Sequence, residues 1–166
     1  MKNEIIYSSA RIVIETISSE VKDSDADIVI SESGQINKKS RIVVYFGETK
    51  LTILFMWNHY SPESGVCVHY QEKQSLLFLG GGSLSAVLNL KSKEILHCNF
   101  PMLFWNWEIV EGNILELGEL ECRLYSPAGS LIGEAAVDPP YEYKVTPGVI
   151  EFSSIVVGKT YIKSNG

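Results

Sequence analysis

The side chains of this 166-residue chain best suited to chemistry are three histidines, three cysteines and a few hydroxyls beside glycines. Cys67 and His69 lie two residues apart, so on one strand they share a face and could act as a pair of metal ligands. His97 and Cys98 are adjacent and point to opposite faces, and His59 stands alone. A structural zinc site needs four ligands in recognisable pairs, and no Cys-x-x-Cys occurs, so no metal is expected. Gly80-Gly81-Gly82-Ser83 and Gly158-Lys159-Thr160 each carry a fragment of a phosphate cradle. Neither has the full glycine-to-lysine spacing, and neither is followed by a helix to aim its amides, so both read as turns. Ser83 and Ser130 lie outside any Gly-x-Ser-x-Gly. Glu119 and Glu121 can share a strand face, but general acid–base work also needs a cleft and a shifted pKa. We expect no catalytic residues, no cofactor and no enzyme.

Two segments are better suited to binding. In Phe100-Pro101-Met102-Leu103-Phe104-Trp105-Asn106-Trp107-Glu108, a strand places Trp105 and Trp107 on one face with Phe104 and Asn106 on the other. Tryptophans anchor interfaces, and they equally fill the core of a sandwich. In Val137-Asp138-Pro139-Pro140-Tyr141-Glu142-Tyr143, two prolines exclude a central strand. They stiffen a loop that displays Asp138, Tyr141 and Glu142.

The charge distribution points the same way. Glu108, Glu111, Glu116, Glu119, Glu121, Glu134, Asp138 and Glu142 face only Arg123, giving residues 108–142 a charge of −7. The rest of the chain holds 12 acids and 13 bases. Such a surface repels nucleic acid and steers a basic protein toward itself. The candidate partner-binding residues are therefore Trp105, Trp107, Glu119, Glu121, Asp138, Tyr141 and Glu142. The same carboxylates also suit the solvated outer faces of strands.

The elements that would position these residues are strands. Apolar runs are short or alternate with period two, and no segment carries a capped helical stripe. Arg41–Phe46 and Lys50–Trp57 read as a hairpin around Gly47-Glu48-Thr49. Leu76–Leu79, the glycines, Leu84–Leu90, the turn Lys91–Glu94 and Ile95-Leu96 form strand, glycine, strand, turn, strand. Ile114–Leu117, Gly118, Leu120–Tyr125, the turn Ser126–Gly129 and Leu131-Ile132 repeat that order, and Ile155–Ile162 reads as a shortened last copy. Gly47, Gly80, Gly118 and Gly158 mark the series at spacings of 33, 38 and 40 residues. Periods of this size belong to supersecondary units that bury their faces by stacking. No apolar run is long enough for a membrane helix, no secretory signal is visible, and the odd cysteine count suits reduced thiols. We expect one all-β domain over residues 1–166, cytoplasmic, with antiparallel sheets forming a β-sandwich or a small, incomplete propeller-like stack.

The repeated unit resembles a β-propeller blade in the loose sense of the WD-repeat and kelch families, without their Gly-His and Trp-Asp signatures. The stretch from Phe78 to Tyr143 is similar to small uncharacterised bacterial β-proteins. The shared features are Leu-Gly-Glu after an apolar strand, a tyrosine before a Pro/Gly turn (Tyr125–Gly129) and the Asp-Pro-Pro-Tyr-Glu loop. Some proteins of this look are thought to be immunity partners of polymorphic toxins. The resemblance covers about the central two-fifths of the chain and implies a non-enzymatic protein that occludes a partner. Two alternatives stay open: a structural domain self-assembling through the aromatic strand, and a metal- or ligand-binding enzyme built on the Cys67/His69 face.

Overall fold

Alternating and short apolar runs become strands throughout the computed structural model, which describes residues 2–17, 25–32, 34, 36–58 and 65–164. Asp23 and Ser24 of the polar break, Ser33 and Gln35, the turn at 61–64 and His59 lie outside the described residues. Helical structure among the described residues is limited to short turns such as the 3₁₀ turn Glu72–Gln74. The protein is all-β; the described residues form four open sheets, antiparallel but for one parallel pair among them. They fall into two compact units, Met1–Phe100 and Pro101–Gly166.

The first unit begins with a five-stranded sheet of β1 (Lys2–Ile6), β2 (Ala10–Ile17), β3 (Ile28–Ser31), β4 (Lys38–Phe46) and β5 (Thr49–Trp57). Their order is β1-β2-β4-β5-β3, and β3 runs parallel to β5. The expected hairpin joins β4 to β5, with Gly47 at φ +55° in its turn. Alternation puts Ile12, Ile14, Ile42, Val44, Leu51 and Ile53 into the core. Arg11, Glu15, Arg41 and Tyr45 occupy the opposite face.

The second sheet is a meander of β6 (Cys67–Gln71), β7 (Leu76–Gly81), β8 (Leu84–Asn89) and β9 (Glu94–Asn99). Leu77, Leu79, Leu84, Ala86 and Leu88 join Phe55 and Trp57 in the core of this unit. Each fully buried side chain of this size contributes about 1.5–3 kcal/mol, so this shared core dominates the stability of the unit.

The second unit repeats the meander with β10 (Phe104–Val110), β11 (Asn113–Gly118), β12 (Glu121–Tyr125) and β13 (Leu131–Ala136). A three-stranded sheet follows: β14 (Tyr141–Thr146), β15 (Val149–Ser154) and β16 (Gly158–Lys163). Leu115, Leu117, Cys122 and Leu124 pack with Ile150, Phe152 and Ile162. Gly133 permits close approach, since a Cβ there would lie 3.2 Å from Ile162 Cγ2.

The repeat is real, and its period is 37 residues. β6, β10 and β14 begin at residues 67, 104 and 141, and β8, β12 and β16 begin at 84, 121 and 158. The glycine series drifts about this period because its members are not equivalent. Gly80 and Gly118 lie at the ends of second strands, Gly47 sits in a turn, and Gly158 opens a third strand. The expected strand Ile155–Ile162 is also corrected. Ile155, Val156 and Val157 form the exposed turn before β16, because Ile150, Phe152 and Ile162 already fill the inward positions.

Candidate partner-binding rim of the third sheet

Three short segments converge at one end of the β10–β13 sheet. The turn from Gly118 to Glu121 links β11 to β12, and a Cβ on Gly118 would lie 2.8 Å from Glu121 O, so the turn closes around a glycine. The Glu119 N–H donates to Leu103 O at 2.8 Å, and the Val137 N–H donates to Leu120 O at 3.0 Å. The Tyr141 hydroxyl donates to Gly118 O at 2.9 Å. Residues 103–105, 118–121 and 137–141 are thereby tied together. On this rim the Trp105 indole, 42% exposed, stacks on the Tyr141 ring with centroids 5.0 Å apart and planes inclined by 4°. The pair is an apolar plate fixed from beneath by a hydrogen bond, with little side-chain freedom left to lose on binding.

Trp105 and Trp107 do not share a face. The β10–β11 register slips between Phe104 and Asn106, so Trp105 is the extra residue of a β-bulge. The bulge shifts the alternation: Phe104 and Trp107 turn inward together, with ring centroids 5.2 Å apart, while Trp105 turns out. Trp107 is only 7% exposed and packs edge-on to Tyr125, so it lies in the interior. The other candidates divide as follows. Glu119 lies in the turn rather than on a strand, Glu121 opens β12 beside it, and Asp138 follows Val137 on the same rim. Glu142 belongs to β14, exposed and alternating with Tyr141 and Tyr143, so it faces away from them. Five of the seven candidates are thus brought together: Trp105, Glu119, Glu121, Asp138 and Tyr141.

Much of the acidity predicted for a binding face is consumed internally. Glu116, 1% exposed, accepts from the Tyr125 hydroxyl at 3.2 Å. Arg123 lies 3.5 Å from Glu116, 2.5 Å from Glu121 and 3.7 Å from Glu134. Burial works against the Arg123 charge, but Glu116 and Glu121 outweigh it and push the guanidinium pKa up. Glu111 accepts from Gly148 N–H and Ser164 Oγ. Among the described residues the carboxylates of Glu119, Asp138 and Glu142 enter no hydrogen bond or ion pair, so they hold the acidity free for a partner.

The residues that sequence reasoning missed are the supports. Tyr143 donates a short hydrogen bond to Glu108. Burial, then this carboxylate, pushes the Tyr143 pKa up to about 12. Burial raises Tyr141 further still, with the Cys122 thiol 3.4 Å from its hydroxyl. Both tyrosines alternate on β14, a strand that the proline pair had masked as loop. Among the described residues no group of three His, Cys, Asp or Glu side chains is placed to hold a metal. A groove of about 440 Å³ lies on the outer face of the first sheet. Its carboxylates are engaged by their neighbours, Glu15 by Lys2 and Arg41 and Glu4 by Arg11.

No family model matches the chain, and no curated protein matches it. Among solved structures it is similar to the β-propeller domain of the Trilobed protease from Pyrococcus furiosus, described as having an open velcro topology. The TM-score is 0.52 at 7% identity, over 99% of this chain and 54% of that one, so the chain spans about half the length of the structure it matches. At that identity the likeness concerns fold alone. Together with the 37-residue period, it defines the class: a propeller-like all-β protein. No helix among the described residues is long and apolar enough to cross a membrane.

Proposed function

We propose that the protein is a non-enzymatic binding module that grips a basic protein partner through the rim of its third sheet. The observation that carries this reading is the exposed Trp105–Tyr141 stack beside the unspent carboxylates of Glu119 and Asp138. Aromatic plates of this kind supply residence time, and unpaired acidic groups at the periphery accelerate encounter. Residues 101–166 hold nine acids against four bases, so the unit bearing the rim carries the field that would attract such a partner. The finer reading is an inhibitor of the immunity type, cytoplasmic and bacterial, that occludes a toxin. It draws its support from the Phe78–Tyr143 resemblance and from the rigidity of the rim. A self-assembling role is the second reading, favoured by Ile155 and Val156, which are 81% and 79% exposed.

Affinity capture from the source organism at low and high salt tests the first reading. One basic protein should be retained at low salt and released at high salt. Capture of nothing, together with concentration-dependent self-association on sedimentation, would favour the second.

A further inference from the structure

The rim lies wholly within the Pro101–Gly166 unit, and its free chemistry is one-sided. Glu119, Glu121 and Asp138 are carboxylates, which when ionised only accept hydrogen bonds. Arg123 holds Glu121 at 2.5 Å. Glu119 and Asp138 are half-buried, yet their carboxylates enter no hydrogen bond or ion pair among the described residues. The Tyr141 hydroxyl is already engaged, donating to Gly118 O at 2.9 Å beside the Cys122 thiol at 3.4 Å. Among the side chains of Trp105, Glu119, Glu121, Asp138 and Tyr141, the Trp105 indole N–H alone is left to donate. Such a surface is answered by a group rich in donors and without acceptors.

The aromatic pair adds a requirement of shape. Tyr141 covers one side of the Trp105 indole, with ring centroids 5.0 Å apart and planes inclined by 4°, and the indole stays 42% exposed. A partner therefore meets a flat π surface, fixed by the stack and by the β-bulge, and the faces of such rings attract cations. A guanidinium is a flat cation. It stacks on an indole while its five N–H groups, all in its own plane, still reach carboxylates at the edge of the ring. A lysine ammonium is a compact, strongly hydrated point charge with no face to stack. Leu120, 42% exposed in the turn between Glu119 and Glu121, offers apolar surface to an arginine's methylene stem. A sugar also stacks on tryptophan, but its hydroxyls accept as well as donate, and the rim side chains give them one donor. A nucleotide would bring phosphate against unpaired carboxylates.

We propose that the Trp105 rim is a receptor for an arginine side chain of the partner, with the guanidinium laid on the exposed indole and its N–H groups donated to Asp138 and Glu119. The inference rests on the binding function proposed above and narrows its basic partner to one that presents an arginine at the contact. Two half-buried carboxylates without donors disfavour a purely apolar contact, and they turn favourable once a cation carrying its own donors is seated between them and the ring. Lysine in the same place lacks the stacking contribution and binds about fivefold more weakly.

The probe is the peptide acetyl-Gly-Arg-Gly-amide, titrated into the full chain at constant ionic strength while the tryptophan indole N–H signals are followed by NMR. Its counterparts carry lysine, or citrulline, which keeps the planar shape and loses the charge. The arginine peptide should shift the Trp105 indole signal, identified by its absence in Trp105→Phe, and leave those of the buried Trp57 and Trp107 in place. Half-saturation should need about fivefold more of the lysine peptide, and more still of the citrulline one. Asp138→Asn with Glu119→Gln should bring the arginine peptide down toward citrulline. Equal response to arginine and lysine would overturn the arginine preference and leave the wider reading of a basic partner standing. No response to any peptide would overturn the proposal and remove the anchor from that reading as well. A Trp105 shift with methyl glucoside and none with arginine would overturn it in favour of a sugar. If a variant fails to fold, the comparison of peptides on the wild type decides alone.

Discussion

Trp105 and Trp107 carry opposite burdens, and substitution should separate them cleanly. Trp107→Ala empties an interior site against Phe104 and Tyr125, and should cost about 3–5 kcal/mol of unfolding free energy in a urea titration. Trp105→Ala removes an exposed plate and should cost roughly 1 kcal/mol or less. Equal losses would mean that Trp105 is structural and the rim has no anchor. His69 gives a second residue-scale test. Its ring is half-buried beside Phe78, its Nε2 is buried without a hydrogen-bond partner among the described residues, and burial holds its pKa below the ordinary 6.5. The unfolded chain takes up a proton near pH 6.5 that the folded chain resists. Stability is therefore full above that pH, falls as pH drops through it, and levels off below the folded pKa. Urea midpoints at pH 7.5 and 5.5 should differ for the wild type and draw together in His69→Phe. An undiminished drop in the variant would assign the effect elsewhere. At this scale the types of the rim residues were legible in the sequence, but their directions were not. Period-two reasoning fails wherever a bulge adds one residue, and nothing in Phe-Trp-Asn-Trp announces the bulge at Trp105.

At the scale of elements, the strand–glycine–strand–turn–strand order was legible twice over, in 76–96 and 114–132, because turn chemistry and alternation agreed there. The turn Ser126–Gly129 closes as its residues predict, with Gly129 N–H donating to Ser126 O at 2.9 Å. The β14–β15 hairpin was not legible, because Pro139-Pro140 reads as loop while Tyr141 already begins a strand. Nor was the parallel pairing of β3 with β5, a long-range choice that no local pattern encodes. Glycines offer the sharpest element-scale prediction. A Cβ at Gly82 would lie 1.6 Å from Asn58 O, with φ at +56°, so Gly82→Ala should cost several kcal/mol or prevent folding. Gly112 also has positive φ, +79°, but open space around it, so Gly112→Ala should cost only about 1–2 kcal/mol. Similar melting temperatures for the two variants would contradict the close packing at the β7–β8 turn.

For the whole molecule, composition and charge pointed to a binding protein with an acidic surface, and the fold refines where that surface is free. Eight carboxylates between Glu108 and Glu142 looked equivalent in sequence. Folding spends Glu116, Glu121 and Glu134 on Arg123, Glu108 on Tyr143 and Glu111 on Gly148 and Ser164, leaving three. Cross-strand neighbours such as Glu116 and Arg123 are far apart in sequence terms until register is known, which is why the spending could not be read in advance. The salt dependence of partner association should accordingly respond to Glu119→Lys and Asp138→Lys, and hardly at all to Glu134→Lys. A large effect of Glu134→Lys would place the contact on the Arg123 face instead. The rim is tested by the binding kinetics of the captured basic partner to wild type and to Trp105→Ala with Asp138→Lys. The double variant should show a slower on-rate, a faster off-rate and affinity weakened by about a hundredfold, with the fold retained. Unchanged kinetics in a folded double variant would contradict it.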